Sequence, residues 1–409
     1  MSPRLPVASA LAAIALAACV RVNVHGDPGQ AMTTTLRVAS YNASLYSDQA
    51  GGLLRRLEAG DDGARKVAAV LQQVRPDVVL LNEFDHAPSG RAADAFQRLY
   101  LEVPQAGGRP LRYPYRYMAP VNTGVPSGLD LDRSGHVAAA TPVAGEDAAA
   151  ARSRGNDAWG YGLHPGQYGM LLLSMHPIDA ASARTFQLLA WNALPGAARP
   201  IDPATGAPWH DDATWAQLRL SSKSHWDVPV HTPLGTVHGR ASHPTPPVFD
   251  GPEDRNGARN HDEIRLWTEY IDGGDAPWLC DDAGRCGGLG TDARVVILGD
   301  LNNDPVDGDG RHDAILGLLA HPRVLRMPAP RSAGAAHAAG AERPGRRGDP
   351  SHATGDFGPR TGPLRLDYVL PSAGFRALAS GVFWPAPGEE HAGLVDGSDH
   401  RLVWVDLAD

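Results

Sequence analysis

The 409-residue sequence has few cysteines, no excess of positive charge and no long apolar run, and each absence narrows what the protein can be. Three Cys allow at most one disulfide. The formal net charge is −9, so the chain as a whole has no built-in attraction to polyanions such as nucleic acid, although a bound cation can reverse the field locally. No transmembrane helix is predicted, since a span needs about 20 apolar residues, and no internal repeat is evident. What remains, 43% hydrophobic and 20% charged residues, is typical of a globular protein with a sizeable core.

The N-terminus has the pattern of a targeting segment. A short, Ala-rich apolar run follows Arg4, and the sequence LAAC at 16–19 resembles a bacterial lipoprotein signal. We therefore expect residues 1–18 to be removed and Cys19 to be acylated, which would tether the protein to a membrane, with residues 19–35 as a linker. The alternative is a plain secretory signal that is cut at another small residue. Both alternatives export the protein to the cell envelope or the exterior of a bacterium.

The two other cysteines, Cys280 and Cys286, form an even pair close together in the sequence. In the oxidising compartment that export implies, such a pair is more typical of a disulfide that closes a short loop than of a metal site.

The stretch VVILGDLNNDP, residues 295–305, combines an apolar run with polar side chains. Its four apolar residues predict a short strand buried on both faces, which stops at Gly299. Asp300 and Asn302 follow two residues apart, so their side chains leave the same face if the strand geometry persists. A carboxylate and an amide held side by side suit a hard cation or a phosphate oxygen. The alternative is that these are ordinary turn residues after a strand.

A similar arrangement occurs earlier in the chain. LRVASYN predicts a strand that ends at Asn42, and apolar residues at helical spacing over 67–74 predict a helix that ends before Pro76. The apolar run 78–81 predicts a second strand, followed at once by Asn and Glu83. The order of strand, helix and strand indicates a layered α/β architecture. A carboxylate directly after a buried strand therefore occurs twice.

The middle of the chain supplies one further candidate. A buried strand is predicted at 167–178, and the segments 218–230 and 236–247 predict a hairpin. The second strand of the hairpin ends at His243, and a Pro-rich turn fixes the exit direction of the chain there. Its place at a strand end distinguishes His243 from an ordinary surface or core histidine. Helices are predicted at 259–271 and at about 311–320 in the sequence that follows.

Three segments have no regular pattern. Residues 86–166 and 181–215 read as insertions, and the Trp residues of the second are expected to form local core rather than a ligand platform. Residues 329–349, rich in Ala, Gly and Arg, predict a disordered loop.

The last third of the chain contains a buried acid and an Asp-His pair. Asp367 falls within an apolar strand at 366–370, where an unpaired carboxylate is energetically costly. Asp399 and His400 precede a final strand at 402–407. Together with the acids and amides at the other strand ends, they supply carboxylates for a divalent cation, a base for water and neutral donors for a phosphate. These are the components of metal-assisted attack on phosphorus.

The chain resembles the endonuclease/exonuclease/phosphatase superfamily, which includes secreted deoxyribonucleases, abasic-site endonucleases, inositol-phosphate phosphatases and bacterial sphingomyelinases. The resemblance extends from about residue 36 to 407 and depends on six short motifs in the same order: SYN at 40–42, LLNEFD at 80–85, SHPTPP at 242–247, GDLNNDP at 299–305, RLDYVLPS at 365–372 and GSDHRLVWVDL at 397–407. Each motif is weak by itself, but together, in order and at strand ends, they are specific.

The resemblance implies a divalent-metal site. Glu83 would bind the catalytic cation, Mg²⁺ or alternatively Mn²⁺ or Ca²⁺, with Asn42 nearby in contact with the substrate and Asp399 as a second candidate ligand.

The resemblance also implies the chemical roles. His400 would be the base that deprotonates the attacking water, and Asp367 the buried acid that orients it. Asp300 and Asn302 would hold the nucleophile and the scissile phosphate. His243 matches the position at which some members place a histidine that stabilises the phosphate or protonates the leaving group, whereas others use Tyr.

The family fold is an α+β, two-layer αβ sandwich in which two mixed β-sheets pack face to face with helices outside, and we expect it over residues 36–409, with the two insertions. The expected activity is that of an exported, Mg²⁺-dependent phosphoesterase that attacks with water and forms no covalent intermediate. A phosphodiester substrate, nucleic acid or phospholipid among others, is favoured, and a sugar or inositol phosphomonoester is the alternative. A non-catalytic envelope binding protein is the alternative of another class. No protein partner is implied.

Overall fold

A computed structural model describes residues 34–338 and 346–409 of the chain. The predicted signal segment, Cys19 and nearly all of the expected linker lie outside the described residues. Over the described ranges, no helix has both the length and the hydropathy to cross a membrane.

The strands and helices alternate irregularly along the chain. The strands are β1 Leu36–Leu45, β2 Val78–Phe84, β3 Tyr115–Tyr117, β4 Met170–Ser174, β5 Arg184–Thr185, β6 His225–Thr232, β7 Gly235–Ser242, β8 Arg294–Asp300, β9 Gly355–Asp356, β10 Pro363–Leu364, β11 Asp367–Pro371, β12 Arg376–Val382 and β13 Val403–Ala408. The helices are α1 Gly52–Ala59, α2 Asp62–Val74, α3 Arg91–Phe96, α4 Ala148–Asn156, α5 Asp212–Trp215, α6 Arg255–Asp272, α7 His312–Ala320, α8 Ala333–Ala338 and α9 Gly358–Thr361.

Two large mixed sheets form the centre of the fold. One has the strand order β12-β13-β1-β2-β4-β3 and the other the order β11-β8-β7-β6-β5. Each sheet contains one parallel pair, β1 with β2 and β7 with β8, among antiparallel neighbours. The carboxyl ends of the strands in each parallel pair therefore lie at the same edge of their sheet.

Three apolar clusters hold the layers together. The central cluster lies between the sheets and joins side chains such as Val38 and Leu80 of the first sheet to Trp226 and Leu298 of the second. A second cluster packs α1, α2 and α3 on the outer face of the first sheet, and a third packs α6 and α7 on the outer face of the second. The predicted fold class, two mixed sheets face to face with helices outside, is confirmed.

Helix α2 shows how the sequence pattern produces these layers. The Asp61 side chain caps its N-terminus by accepting a hydrogen bond from the Ala64 N–H at 2.8 Å. Val67 and Leu71 on its inner face are fully buried, and each contributes about 1.5–3 kcal/mol of burial free energy. The helix ends at Val74 because the next residue precedes a proline, which disfavours the helical conformation.

The segments without a regular pattern contain more structure than predicted. Residues 86–166 include α3, β3 and α4, and α8 lies inside the loop predicted to be disordered. These elements are short and weakly amphipathic, so periodicity alone does not reveal them. In the second insertion Trp191 is buried and packs on Trp215, as expected for local core. Cys280 and Cys286 form the predicted disulfide.

Candidate active site

The polar residues at the strand ends converge on one cavity of about 760 Å³. They meet there because the carboxyl ends of β2 and β8, the start of β11 and the loop before β13 lie at the same edge of the sandwich. Six of the predicted site residues line the cavity: Glu83, His243, Asp300, Asn302, Asp399 and His400. The other two, Asn42 and Asp367, are buried and contact those that do. The structure thus brings all eight together.

His400 is bound from behind by Asp367. Its Nδ1 lies 2.8 Å from Asp367 Oδ2, and Asp367 accepts a second hydrogen bond from the Thr354 hydroxyl, also at 2.8 Å. Because the carboxylate can only accept, Nδ1 carries a proton, and Nε2 is the nitrogen that faces the cavity side, where it has a lone pair whenever the ring is neutral. The edge of the imidazole packs on Phe357, with ring centroids 5.1 Å apart. These contacts fix the tautomer and the orientation of the ring.

Asp300 is the residue on which the other polar groups converge. Its Oδ2 accepts a hydrogen bond from Asn42 Nδ2 at 3.1 Å and lies 3.4 Å from His243 Nε2 and 3.5 Å from His400 Nε2. Its backbone N–H donates to Asn82 Oδ1 at 3.0 Å, which joins the ends of the two sheets. Asp300 therefore occupies a fixed position between the two histidines.

The charges of the site shift its pKa values in opposite directions. Burial lowers the pKa of His400, but the carboxylates of Asp367 and Asp300 outweigh that effect and raise it to about 10. Burial raises the pKa of Asp367 against the opposing charge of His400. Burial also disfavours the charged form of Asp300, yet His400 and the hydrogen bonds from His243 and Asn42 hold its pKa well below the ordinary value. Asp300 is therefore ionised throughout the neutral range.

Glu83 fits the role of a cation ligand. One of its oxygens accepts a hydrogen bond from Asn42 Nδ2 at 3.0 Å, and the other has no hydrogen-bond partner among the described residues. The carboxylate is half-buried and faces the cavity. Carboxylate and amide oxygens around an open position form the donor set that a hard divalent cation prefers.

Asp399 lies at the opposite rim of this region. It is exposed and accepts a weak hydrogen bond from the Ser44 hydroxyl at 3.4 Å, while the adjacent Ser398 hydroxyl donates to the Asn42 carbonyl at 2.8 Å. The charges of Asp399 and Glu83 both act on Tyr46, whose pKa is raised mainly by burial. Asp399 can thus contribute a ligand from the solvent side.

A second donor set lies deeper in the site. Ligand atoms of Asp300, Asp367 and His400 lie within 4.8 Å of one another, which is close enough to surround a cation. However, Asp367 Oδ2 is already bound to His400 Nδ1, and a cation there would have to replace that hydrogen bond. Glu83, with one oxygen free of such partners, is the better ligand.

The structure corrects one prediction about Asn302. The strand ends at Asp300, and Asn302 adopts a left-handed conformation with φ 52°, so the two side chains do not extend a common strand face. Its N–H donates to Asp300 Oδ1 at 2.9 Å, as in an Asx turn, and its amide donates to the Pro244 carbonyl at 3.0 Å. The turn that was predicted as the alternative for this segment is therefore present, and it places Asn302 in the cavity wall.

Glu83 has the same unusual backbone conformation. Its φ is 57°, in the left-handed region that costs a residue with a Cβ roughly 1–3 kcal/mol. Two non-glycine residues at neighbouring strand ends are thus held in a strained conformation in one cavity.

Sequence reasoning missed several residues that support the site. Thr354 holds Asp367, Asn82 holds the backbone of Asp300, and Ser398 ties the segment before β13 to β1. Lys223 is buried in the cavity wall and has no role in the predicted chemistry. None of these residues belongs to a recognisable sequence motif of its own, and only the three-dimensional contacts reveal its place in the site.

Comparison with known proteins gives a family match. The sequence model of the Endonuclease/Exonuclease/phosphatase family matches residues 23–400. Among solved structures, the chain is similar to an endonuclease/exonuclease/phosphatase from Beutenbergia cavernae, with 19% identity, coverage of 91% of this chain and 71% of that one, and a TM-score of 0.47. It is also similar to sphingomyelinase C from Streptomyces griseocarneus, with 18% identity, coverage of 92% and 100%, and a TM-score of 0.45. No curated protein matches the sequence.

Proposed function

The chain belongs to the endonuclease/exonuclease/phosphatase family, whose members hydrolyse phosphate esters, and from that membership we propose that it is a divalent-metal-dependent phosphodiesterase. The observation that carries the proposal is the line of three groups formed by Asp367, His400 and Asp300. Asp367 Oδ2 accepts a hydrogen bond from His400 Nδ1 at 2.8 Å, and His400 Nε2 lies 3.5 Å from Asp300 Oδ2 at the cavity. This arrangement is that of an oriented base next to a fixed hydrogen-bond acceptor.

His400 is the base in the proposed reaction. Asp300 orients a water molecule, and His400 Nε2 takes its proton as the water oxygen forms a bond to phosphorus and the bond to the leaving oxygen breaks. Asp367 stabilises the imidazolium that results. No covalent bond to the protein is formed.

In this proposal Asn302 and His243 hold the phosphate from the cavity wall. Asn42 is buried behind them and fixes the carboxylates of Glu83 and Asp300, to which its amide donates. Amide and imidazole N–H groups donate to phosphate oxygens without adding negative charge. His243 Nε2 and His400 Nε2 lie 3.4 and 3.5 Å from the same oxygen of Asp300, and in this proposal His243 stabilises or protonates the leaving oxygen. When a divalent cation is bound at Glu83, with Asp399 as a further ligand, it supplies charge neutralisation for the phosphate oxygens in the transition state. Mg²⁺ is the cation that we propose, with Mn²⁺ or Ca²⁺ as substitutes.

We propose that the protein acts outside the cytoplasm. The lipoprotein-like sequence before Cys19 supports this, and so does the Cys280–Cys286 disulfide, since such bonds persist in oxidising compartments. In this proposal Cys19 carries the lipid that tethers the protein to a membrane.

Hydrolysis of bis-p-nitrophenyl phosphate tests the proposal. We expect the purified protein to release p-nitrophenol, EDTA to abolish the release, and added Mg²⁺ to restore it. Faster hydrolysis of p-nitrophenyl phosphate than of the diester would make the protein a phosphomonoesterase instead. Absence of hydrolysis of both substrates with every divalent cation tested would favour a binding protein that retains the fold.

A further inference from the structure

Lys223 is a buried cation in the active-site cavity for which the chemistry described so far has no use. The sequence contains only two lysines, Lys66 and Lys223, among 37 basic Lys and Arg residues. Lys66 lies on α2 and forms an ion pair with Asp62 at 3.3 Å. Lys223 lies just before β6, is 6% exposed and lines the same cavity as Asp300 and His400.

The Lys223 ammonium has no protein partner within the described residues. No carboxylate oxygen among them lies within 4.0 Å of it, and it donates no hydrogen bond to them. The buried acid that acts most strongly on its pKa, Glu263, uses its carboxylate for other donors. It accepts from the Ser222 N–H at 2.6 Å, the Ser222 hydroxyl at 3.0 Å and the Thr245 N–H at 2.6 Å. Its side chain is largely buried, but the ammonium is not among the fully enclosed polar atoms without a partner, so it opens to the cavity that Lys223 lines and is free to bind a ligand there.

The hairpin places Lys223 next to His243. β6 and β7 pair with His225 opposite Ser242, so the segment before β6 and the segment after β7 lie at the same end. The hydrogen bonds of Glu263 to Ser222 and Thr245 tie these two segments together. Burial and, next, the charge of Lys223 lower the pKa of His243, as expected for neighbours.

The ammonium also faces the acidic side of the cavity. Lys223, Glu83 and Asp300 line the same cavity. Burial lowers the pKa of Lys223, and the charges of Glu263, Glu83 and Asp300 oppose that effect, while Arg259 adds to it. A phosphate that entered this cavity would meet the carboxylates of Asp300 and Glu83, and it would be repelled unless cations compensate. A compact ammonium is well suited to this role because it acts as a point charge on phosphate oxygens.

We propose that Lys223 binds a non-bridging oxygen of the substrate phosphate, beside His243 and across from the cation ligand Glu83. The inference rests on the proposed function, since it takes the ligand of the cavity to be a phosphate ester. The ammonium holds the phosphate against Asp300 and stabilises the additional negative charge that develops on its oxygens in the transition state.

Phosphate binding to the metal-free protein tests the proposal without requiring turnover. Inorganic phosphate is titrated by calorimetry into the parent protein and into Lys223→Met, Lys223→Arg and Lys66→Met. We expect Lys223→Met to weaken binding by about 10- to 100-fold, the loss typical of one charge-assisted hydrogen bond. Lys66→Met is the matched control and should bind as the parent does, and Lys223→Arg should retain most of the affinity. Equal affinities of the parent and Lys223→Met, or no binding by the parent, would overturn the proposal.

A second measurement uses the parent protein alone, in case Lys223→Met does not fold. Reductive methylation modifies only Lys66, Lys223 and the terminal amine, and peptide mass spectrometry reports each lysine separately. Phosphate should slow methylation of Lys223 and leave that of Lys66 unchanged. Equal rates at Lys223 with and without phosphate would contradict the proposal.

Turnover separates this inference from the proposed function. On bis-p-nitrophenyl phosphate, Lys223→Met should lower kcat by about 10²- to 10³-fold, as removal of one transition-state donor does. A protein that binds phosphate through Lys223 but hydrolyses no ester would refute the proposed function only. If the enzyme is active, and Lys223→Met has the same phosphate affinity and the same kcat as the parent, only the inference is refuted.

Discussion

Asp367→Asn tests whether the acid behind His400 takes part in catalysis. The carboxylate lies 2.8 Å from His400 Nδ1, and its other oxygen, Oδ1, is buried with no hydrogen-bond partner among the described residues. The amide of Asn can turn its NH₂ toward the ring, which favours the wrong tautomer. Otherwise it keeps its oxygen there and leaves the NH₂ unpaired in the position of Oδ1, which costs about 1–3 kcal/mol. Either arrangement damages the base.

The expected effect has two parts. First, kcat on bis-p-nitrophenyl phosphate should fall by about 10²- to 10⁴-fold, the range that general-base catalysis contributes. Second, the pH profile should move. The rate of the parent should rise with pH as His400, whose pKa is raised to about 10, loses its proton. Asp367 is the strongest of the charges that raise that pKa, so in Asp367→Asn the rise should begin at lower pH.

Thr354→Val is the matched control. It removes the second hydrogen bond to the same oxygen of Asp367 and the acceptor of the Leu366 and Asp367 N–H groups, but it keeps the carboxylate. The variant should therefore lose stability in denaturant titrations, while kcat of the folded protein should fall only about 3- to 10-fold. The double variant Asp367→Asn/His400→Ala should be little worse than His400→Ala, because the two residues act as a unit. A kcat for Asp367→Asn within threefold of the parent with an unshifted pH profile would refute the reasoning, as would losses that multiply in the double variant.

Three further predictions concern the cation, the anchor and acid stability. Glu83→Gln removes the charge that holds a hard cation while it preserves shape, so activity should fall sharply and excess Mg²⁺ should restore part of it; unchanged activity at low Mg²⁺ would contradict the assignment. Cys19→Ala should move the protein from the membrane fraction to a soluble or uncleaved form, and equal fractionation would leave only a plain secretory signal. Because the pKa of Asp300 is depressed in the folded protein, its contribution to the free energy of unfolding is complete above its ordinary pKa of about 3.9 and is lost as the pH falls below that value. Between about pH 5 and pH 2, the free energy of unfolding of the parent should therefore fall more than that of Asp300→Asn. Denaturant titrations at each pH measure both values.

The sequence predicts most of the layered architecture because its central strands are simple. Runs such as 78–81 and 295–298 are entirely apolar, and each is bounded by a clear breaker or a polar residue, so both the strand and its end can be recognised. The first carboxylates after such runs, Glu83 and Asp300, were predicted as site residues for the same reason, and the structure places both in the cavity.

What the sequence does not predict depends on contacts between distant segments. The Asp300 N–H and its acceptor on Asn82 are 218 residues apart, and nothing near either residue indicates the pairing. Thr354 precedes the buried acid that it holds by 13 residues, in a segment without periodicity. The Asn302 amide likewise donates to the Pro244 carbonyl, which follows a different strand and lies 58 residues away in the sequence.

The backbone conformation of Glu83 has a consequence for the evolution and engineering of this chain. Glycine adopts a φ of 57° without the cost that a Cβ imposes, so Glu83→Gly would relax the backbone while removing the carboxylate. Stability and activity thus make opposite demands on one position. A selection for heat resistance alone would favour glycine there, and the surviving variants would be more stable proteins that lack the carboxylate we propose as the cation ligand.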